Sequence, residues 1–81
     1  MQGRRLPDGS PPITDVQPGD YWKSEYGHWF AKAPNGFIGN LKGHEVVEHD
    51  DGTITVSPSM LVDDGESNWH GYLEKGVWRS C

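Results

Sequence analysis

What this chain lacks narrows it quickly. It has a single cysteine, Cys81, so no intrachain disulfide framework can staple it. It has no apolar run near the ~18 residues of a membrane-spanning helix, and its first residues lack the apolar core of a secretory signal. A cytoplasmic protein with no membrane partner is the expectation.

Positive charge is scarce as well. Lys and Arg number 7 against 12 Asp and Glu, a formal net charge of −5. That balance argues against a nucleic-acid partner, whose phosphates need clustered cations. The acidic pairs Asp50-Asp51 and Asp63-Asp64 suggest a DNA mimic, but both are short and fall at expected turns. Close metal-ligand pairs are missing too. His28, His44, His49, His70 and Cys81 carry donor atoms, yet no Cys-x-x-Cys or His-x-x-x-His spacing occurs. His44 and His49 would point to opposite faces of a strand. Neither a metal nor any other cofactor is expected.

Aliphatic side chains are few: hydrophobic residues make up 33% of the chain, and no helical period of useful length appears. The 4 Trp, 3 Tyr and 2 Phe must then supply much of the core. Each aromatic can bury ~150–250 Å². Trp22, Trp29, Trp69 and Trp78 also read as a surface for a protein partner. Burial in a domain of 81 residues is modest, so both a monomer and a homodimer fit.

Turn chemistry is abundant. Residues 1–19 hold Pro7, Pro11, Pro12 and Pro18 and read as an extended N-terminal arm anchored only by Leu6, Ile13 and Val16. Residues 20–81 read as a single small β domain. Strands are expected at Tyr21 to Lys23, Gly27 to Lys32, Phe37 to Leu41, Glu45 to His49, Thr53 to Ser57, Trp69 to Leu73 and Val77 to Arg79. The fold class is therefore all-β, a small twisted antiparallel meander or partly open barrel of six to seven strands.

Asp51-Gly52 between two β-branched runs predicts a tight two-residue hairpin turn. That register pairs Val47 with Val56, Val46 with Ser57 and His44 with Ser59. It puts His44, Val46 and Glu48 on one face with Thr55, Ser57 and Ser59, and Val47, Ile54 and Val56 on the other. Pro58 marks an edge or a bulge just before Ser59.

A serine hydroxyl becomes a nucleophile when a base takes its proton, and that base works best when a third group holds its tautomer. Ser59 and Ser57 supply hydroxyls, His44 and His70 supply imidazoles, and Glu45 and Glu48 are candidate orienters. His70 opens the strand after the loop that leaves Ser59, a connection short enough to return it to the serine. The peptide N–H groups of Ser59 and Met60, or the loop at Asn68, are candidate oxyanion donors. The same Ser57-Pro58-Ser59 segment also reads as an ordinary strand exit with hydroxyls bonded to local backbone.

The succession of His44, Asp51-Gly52, Pro58-Ser59, His70, Tyr72, Gly76 and Trp78 resembles the BubE-type family, serine deubiquitinase-like proteins encoded with bacterial ubiquitin-like conjugation operons. The likeness runs from His44 to Arg79, and short proteins of actinobacterial phages carry the same segment. It implies Ser59 as nucleophile, His70 as general base and His44 as its partner or an alternative base. The substrate it implies is a ubiquitin-like modifier or another acyl-linked protein, met in the host cytoplasm if the chain is phage-encoded. Relatives often carry a cysteine just before the second histidine, where this chain has Trp69. Two functions follow: a small serine peptidase or isopeptidase, or a non-catalytic phage accessory protein that blocks a host protein through its Trp-rich surface.

Overall fold

A computed structural model describes residues 1–63, 65–66 and 68–81. Asp64 and Ser67, part of the expected loop before Trp69, lie outside the described residues. Short alternating runs between turns become the strands β1 (Arg4–Arg5), β2 (Asp20–Lys23), β3 (Trp29–Lys32), β4 (Ile38–Asn40), β5 (Glu45–Glu48), β6 (Ile54–Asp63), β7 (Asn68–Glu74) and β8 (Val77–Ser80). Among the described residues there is no α-helix, only a 3-10 turn at Ile13–Asp15. The class is all-β, as expected. The strands form two separate four-stranded sheets, ordered β1-β2-β3-β4 and β5-β6-β7-β8.

The core lies between the sheets because alternate residues of each strand point inward. Sheet one contributes Tyr21 and Ala31, joined by Ala33 and Leu41 from its connections, and sheet two contributes Ile54, Val56, Met60, Leu73 and Trp78. Full burial of an aliphatic side chain such as Ile54 or Leu73 contributes ~1.5–3 kcal/mol. Burial pushes the pKa of the Tyr21 phenol up from its ordinary value.

The N-terminal arm is extended, and it is also hydrogen-bonded to both sheets. Trp78 N donates to Met1 O at 2.8 Å and Gly3 N to Gly76 O at 2.7 Å, so the first residues run beside β8. The chain then crosses to sheet one, where β1 pairs with β2 in parallel. Arg4 reaches the buried Asp20 carboxylate at 2.7 Å, while Arg5 grips Glu48 at 2.7 Å. A strap of five residues thus joins the two sheets. Two adjacent arginines carry no β pattern, which is why this strand was not legible.

The β5–β6 hairpin differs by one residue from the expected register. The observed pairs are Glu45 with Ser57, Val46 with Val56, Val47 with Thr55 and Glu48 with Ile54. The loop has three residues, Asp50, Asp51 and Gly52, closed by His49 N donating to Thr53 O at 2.8 Å. Asp51 Oδ1 accepts from both Thr53 N and Thr53 Oγ1, and Gly52 takes φ 87°. That is a type I turn with a glycine bulge, the usual alternative to a two-residue turn. A one-residue slip turns a strand over. Val46 therefore packs inward, Val47 is exposed, and His44 falls in register with Pro58 rather than Ser59.

A second irregularity lies in β6. From Val56 to Met60 this strand advances four residues while β7 advances two, from Leu73 to Gly71. Ser57, Pro58 and Ser59 together face Tyr72. The extra pair preserves the inward parity of Val56 and Met60, and re-aims the residues between them.

Candidate active site

The bulge carries Ser59 to the outer face of sheet two, and there it meets His70. Ser59 Oγ and His70 Nε2 lie 3.0 Å apart. In the tautomer with hydrogen on Nδ1, the hydroxyl donates and Nε2 accepts, the arrangement a general base needs. His70 is fixed on β7 by its cross-strand partner Leu61 and by Cys81 N, which donates to His70 O at 2.9 Å. The His70 imidazole is thus carried on a paired strand, while its contact with Ser59 is exposed to water.

Other expected members of the site lie elsewhere. His44 lines two small clefts with inward residues, one beside Met60 and Val62 and one beside Trp29 and Val46. Its Nδ1 is buried without a hydrogen-bond partner. The histidine that the resemblance implies as a partner is thus on the inner side of sheet two, and the dyad is on the outer. Glu48 is committed to Arg5, whose pKa rises above its ordinary value chiefly through that hydrogen bond. Glu45 faces Ser57 in register and has no hydrogen bond or ion pair among the described residues. Asn68 opens β7 opposite Asp63, two residues before His70. No carboxylate among the described residues accepts a hydrogen bond from the His70 ring.

The tryptophans form no surface patch. Trp22 and Trp78 are buried, at 5% and 3% exposure. Trp29 and Trp69 are half-buried and pack against the core. Trp78 donates through Nε1 to Gly19 O at 2.9 Å and meets Trp69 edge-on at 5.3 Å, while Trp22 stacks on Phe30 at 5.8 Å. With so few aliphatics, burial claims these rings. The expected Trp-rich binding surface is corrected accordingly.

A second histidine–hydroxyl pair serves as an internal comparison. His49 Nε2 lies 2.7 Å from Thr55 Oγ1, which also accepts from Lys75 N at 3.0 Å. Thr55 is therefore tied to the next turn, and its role is structural. The Ser59 hydroxyl has His70 as its one hydrogen-bond partner among the described residues.

The apolar residues at the dyad were not legible as part of a site. Leu61 is 64% exposed and Tyr72 42% exposed, both on the outer face beside Ser59 and His70. A cleft of about 610 Å³ lies along the arm from Arg4 to Asp15. Neither it nor the three smaller clefts near Tyr21, Met60 and Trp29 include Ser59 or His70. The dyad sits on an open face. Comparison with protein-family models, with curated proteins and with solved structures finds no match for this chain.

Proposed function

We propose that this chain is a small serine hydrolase in which His70 activates Ser59, acting on an acyl bond carried by a protein. The observation that carries the reading is the 3.0 Å contact between Ser59 Oγ and His70 Nε2, made by two residues with no other side-chain hydrogen bond among the described residues. The resemblance to the BubE-type family supports the same two residues. In the first step Ser59 Oγ bonds to the acyl carbon as its proton passes to His70 Nε2. The bond to the leaving nitrogen breaks, and that nitrogen takes the proton from His70. Water then attacks the acyl carbon, gives a proton to His70, and the proton returns to Ser59 as the acid leaves.

The open face bears on the substrate. A small molecule gains orientation from a cleft, and none of the four clefts described above includes Ser59 or His70. A folded protein or an extended tail brings its own surface, for which the exposed Leu61 and Tyr72 are apolar ground. An isopeptidase of a ubiquitin-like modifier belongs to that class.

The same open face favours a second reading, a binding module that holds a host protein through Leu61, Tyr72 and Val47 without chemistry. Intact-mass measurement after exposure to a fluorophosphonate separates the two. One adduct on the wild type, absent from Ser59→Ala, supports the hydrolase. No adduct on folded protein supports the binding module.

A further inference from the structure

The outer face of sheet two arranges the side chains around the dyad in two rows. Tyr72 on β7 faces Ser57–Ser59 of β6 on one side and Arg79 of β8 on the other. In the next row, Leu61 and Cys81 flank His70, the latter through its hydrogen bond to His70 O. Opposed residues share a face, so the Arg79 side chain leaves the sheet on the side of the dyad.

Arg79 differs from the other arginines of the chain. Arg4 is bound to Asp20 and Arg5 to Glu48 and Asp8. Arg79 is exposed and has no hydrogen bond or ion pair among the described residues, although Glu74 stands on the same face of β7. It is the single cation on the strands of that face, in a protein of net charge −5. The β6 and β8 backbones lie two strand spacings apart, roughly 10 Å. A guanidinium reaching back over Tyr72 covers most of that distance.

We propose that Arg79 is a specificity-determining residue that binds a carboxylate on the acyl side of the substrate, so that the hydrolase prefers acyl groups bearing an acidic end or side chain. This rests on the hydrolase reading above. A guanidinium forks onto a carboxylate with two parallel hydrogen bonds, and its fixed charge survives at any working pH. The leaving side is a poor home for it, because an expelled amine becomes a cation. Leu61, Tyr72 and Arg79 then form a graded surface: apolar beside the reacting atoms, cationic one strand further on.

The test compares two six-carbon esters of the same leaving group, p-nitrophenyl hexanoate and the mono-p-nitrophenyl ester of adipic acid. The quantity read is the ratio of kcat/KM for the acidic ester to that for the neutral one, within each variant. In Arg79→Gln this ratio falls about fivefold, the upper end for a solvent-exposed ion pair. Arg79→Lys keeps part of the preference, and Lys75→Gln, which removes an equal charge at the β7–β8 turn, leaves the ratio unchanged. An unchanged ratio in Arg79→Gln overturns the inference while leaving the hydrolase intact. An equal fall in Lys75→Gln also overturns it, by assigning the effect to net charge. Absence of turnover of both esters by wild type, with no fluorophosphonate adduct, overturns the hydrolase reading and this inference with it.

Discussion

Ser59 and His70 face each other at 3.0 Å because β6 spends two more residues than β7 between the pairs Val56–Leu73 and Met60–Gly71. Without those residues Ser59 would sit in the ordinary ladder. The bulge turns the hydroxyl towards a histidine held one row further along. Bulges beside functional residues commonly re-aim a side chain in this way.

His44 tests how much of the site is the dyad alone. Its Nδ1 is buried and unpartnered, a state that costs ~1–3 kcal/mol relative to a satisfied group. His44→Leu fills the same space without a polar atom, and the account expects stability to rise by about 1 kcal/mol. Urea denaturation reads the stability, and fluorophosphonate labelling of Ser59 proceeds at the wild-type rate. A loss of labelling in a fully folded variant would return His44 to the site.

Gly71, between His70 and Tyr72, leaves no room for a side chain. A Cβ there would meet the carbonyl oxygen of Arg79 and, at 2.7 Å, the Trp69 ring. Gly71→Ala is expected to part β7 from β8 at a cost of at least about 2 kcal/mol. The urea midpoint falls, and the near-ultraviolet dichroism of the Trp69–Trp78 pair changes with it.

Gly3 is the crossing point of the N-terminal strap. A Cβ on it would lie 2.7 Å from Gly76 O, 2.9 Å from Gly19 O and 3.0 Å from Trp78 Nε1. Gly3→Ala is therefore expected to lift the strap from β8 and lower stability by ~1–3 kcal/mol. Hydrogen exchange should rise at the amides of Gly3 and Trp78, which now donate to Gly76 O and Met1 O. Unchanged protection there would show that the strap contributes little.

Asp51 contributes to the acid side of the stability profile. Hydrogen bonds from Thr53 Oγ1 and Thr53 N hold its carboxyl below the ordinary value of 3.8. A depressed folded-state pKa contributes stability that is full above the unfolded value and is lost as pH falls through the folded one. Thermal melts of the wild type should decline below about pH 4, and Asp51→Ala should flatten that limb. An identical acid limb in the variant would remove Asp51 from the account.

Much of this fold was legible because alternation and turn residues agree. Most strands from Tyr21 to Arg79 stand within a few residues of their expected places, and the class follows from them, but β6, expected to end at Ser57, runs on to Asp63. The β5–β6 register was harder. Val46 and Val47 are both valine, so the pattern alone did not favour either face, and the caps from Asp51 to Thr53 decided for the longer loop. Ser59 and His70 came together regardless, because their contact crosses the β6–β7 hairpin and does not depend on the loop at Asp51. The inward placement of His44 follows from the same slip. The tryptophans were legible as core filling but not as the absence of a surface, since their number alone serves both.

The most direct measurement is to localise the fluorophosphonate adduct by peptide fragmentation in the wild type and in His70→Gln. The imidazole is exposed, and the backbone bond from Cys81 N to His70 O is unaffected by the substitution, so the variant keeps its fold. The account predicts a single adduct on Ser59, formed ~10²–10⁴-fold more slowly in His70→Gln, the usual contribution of a general base. An adduct on another residue, or one on Ser59 that forms equally fast without His70, would contradict it.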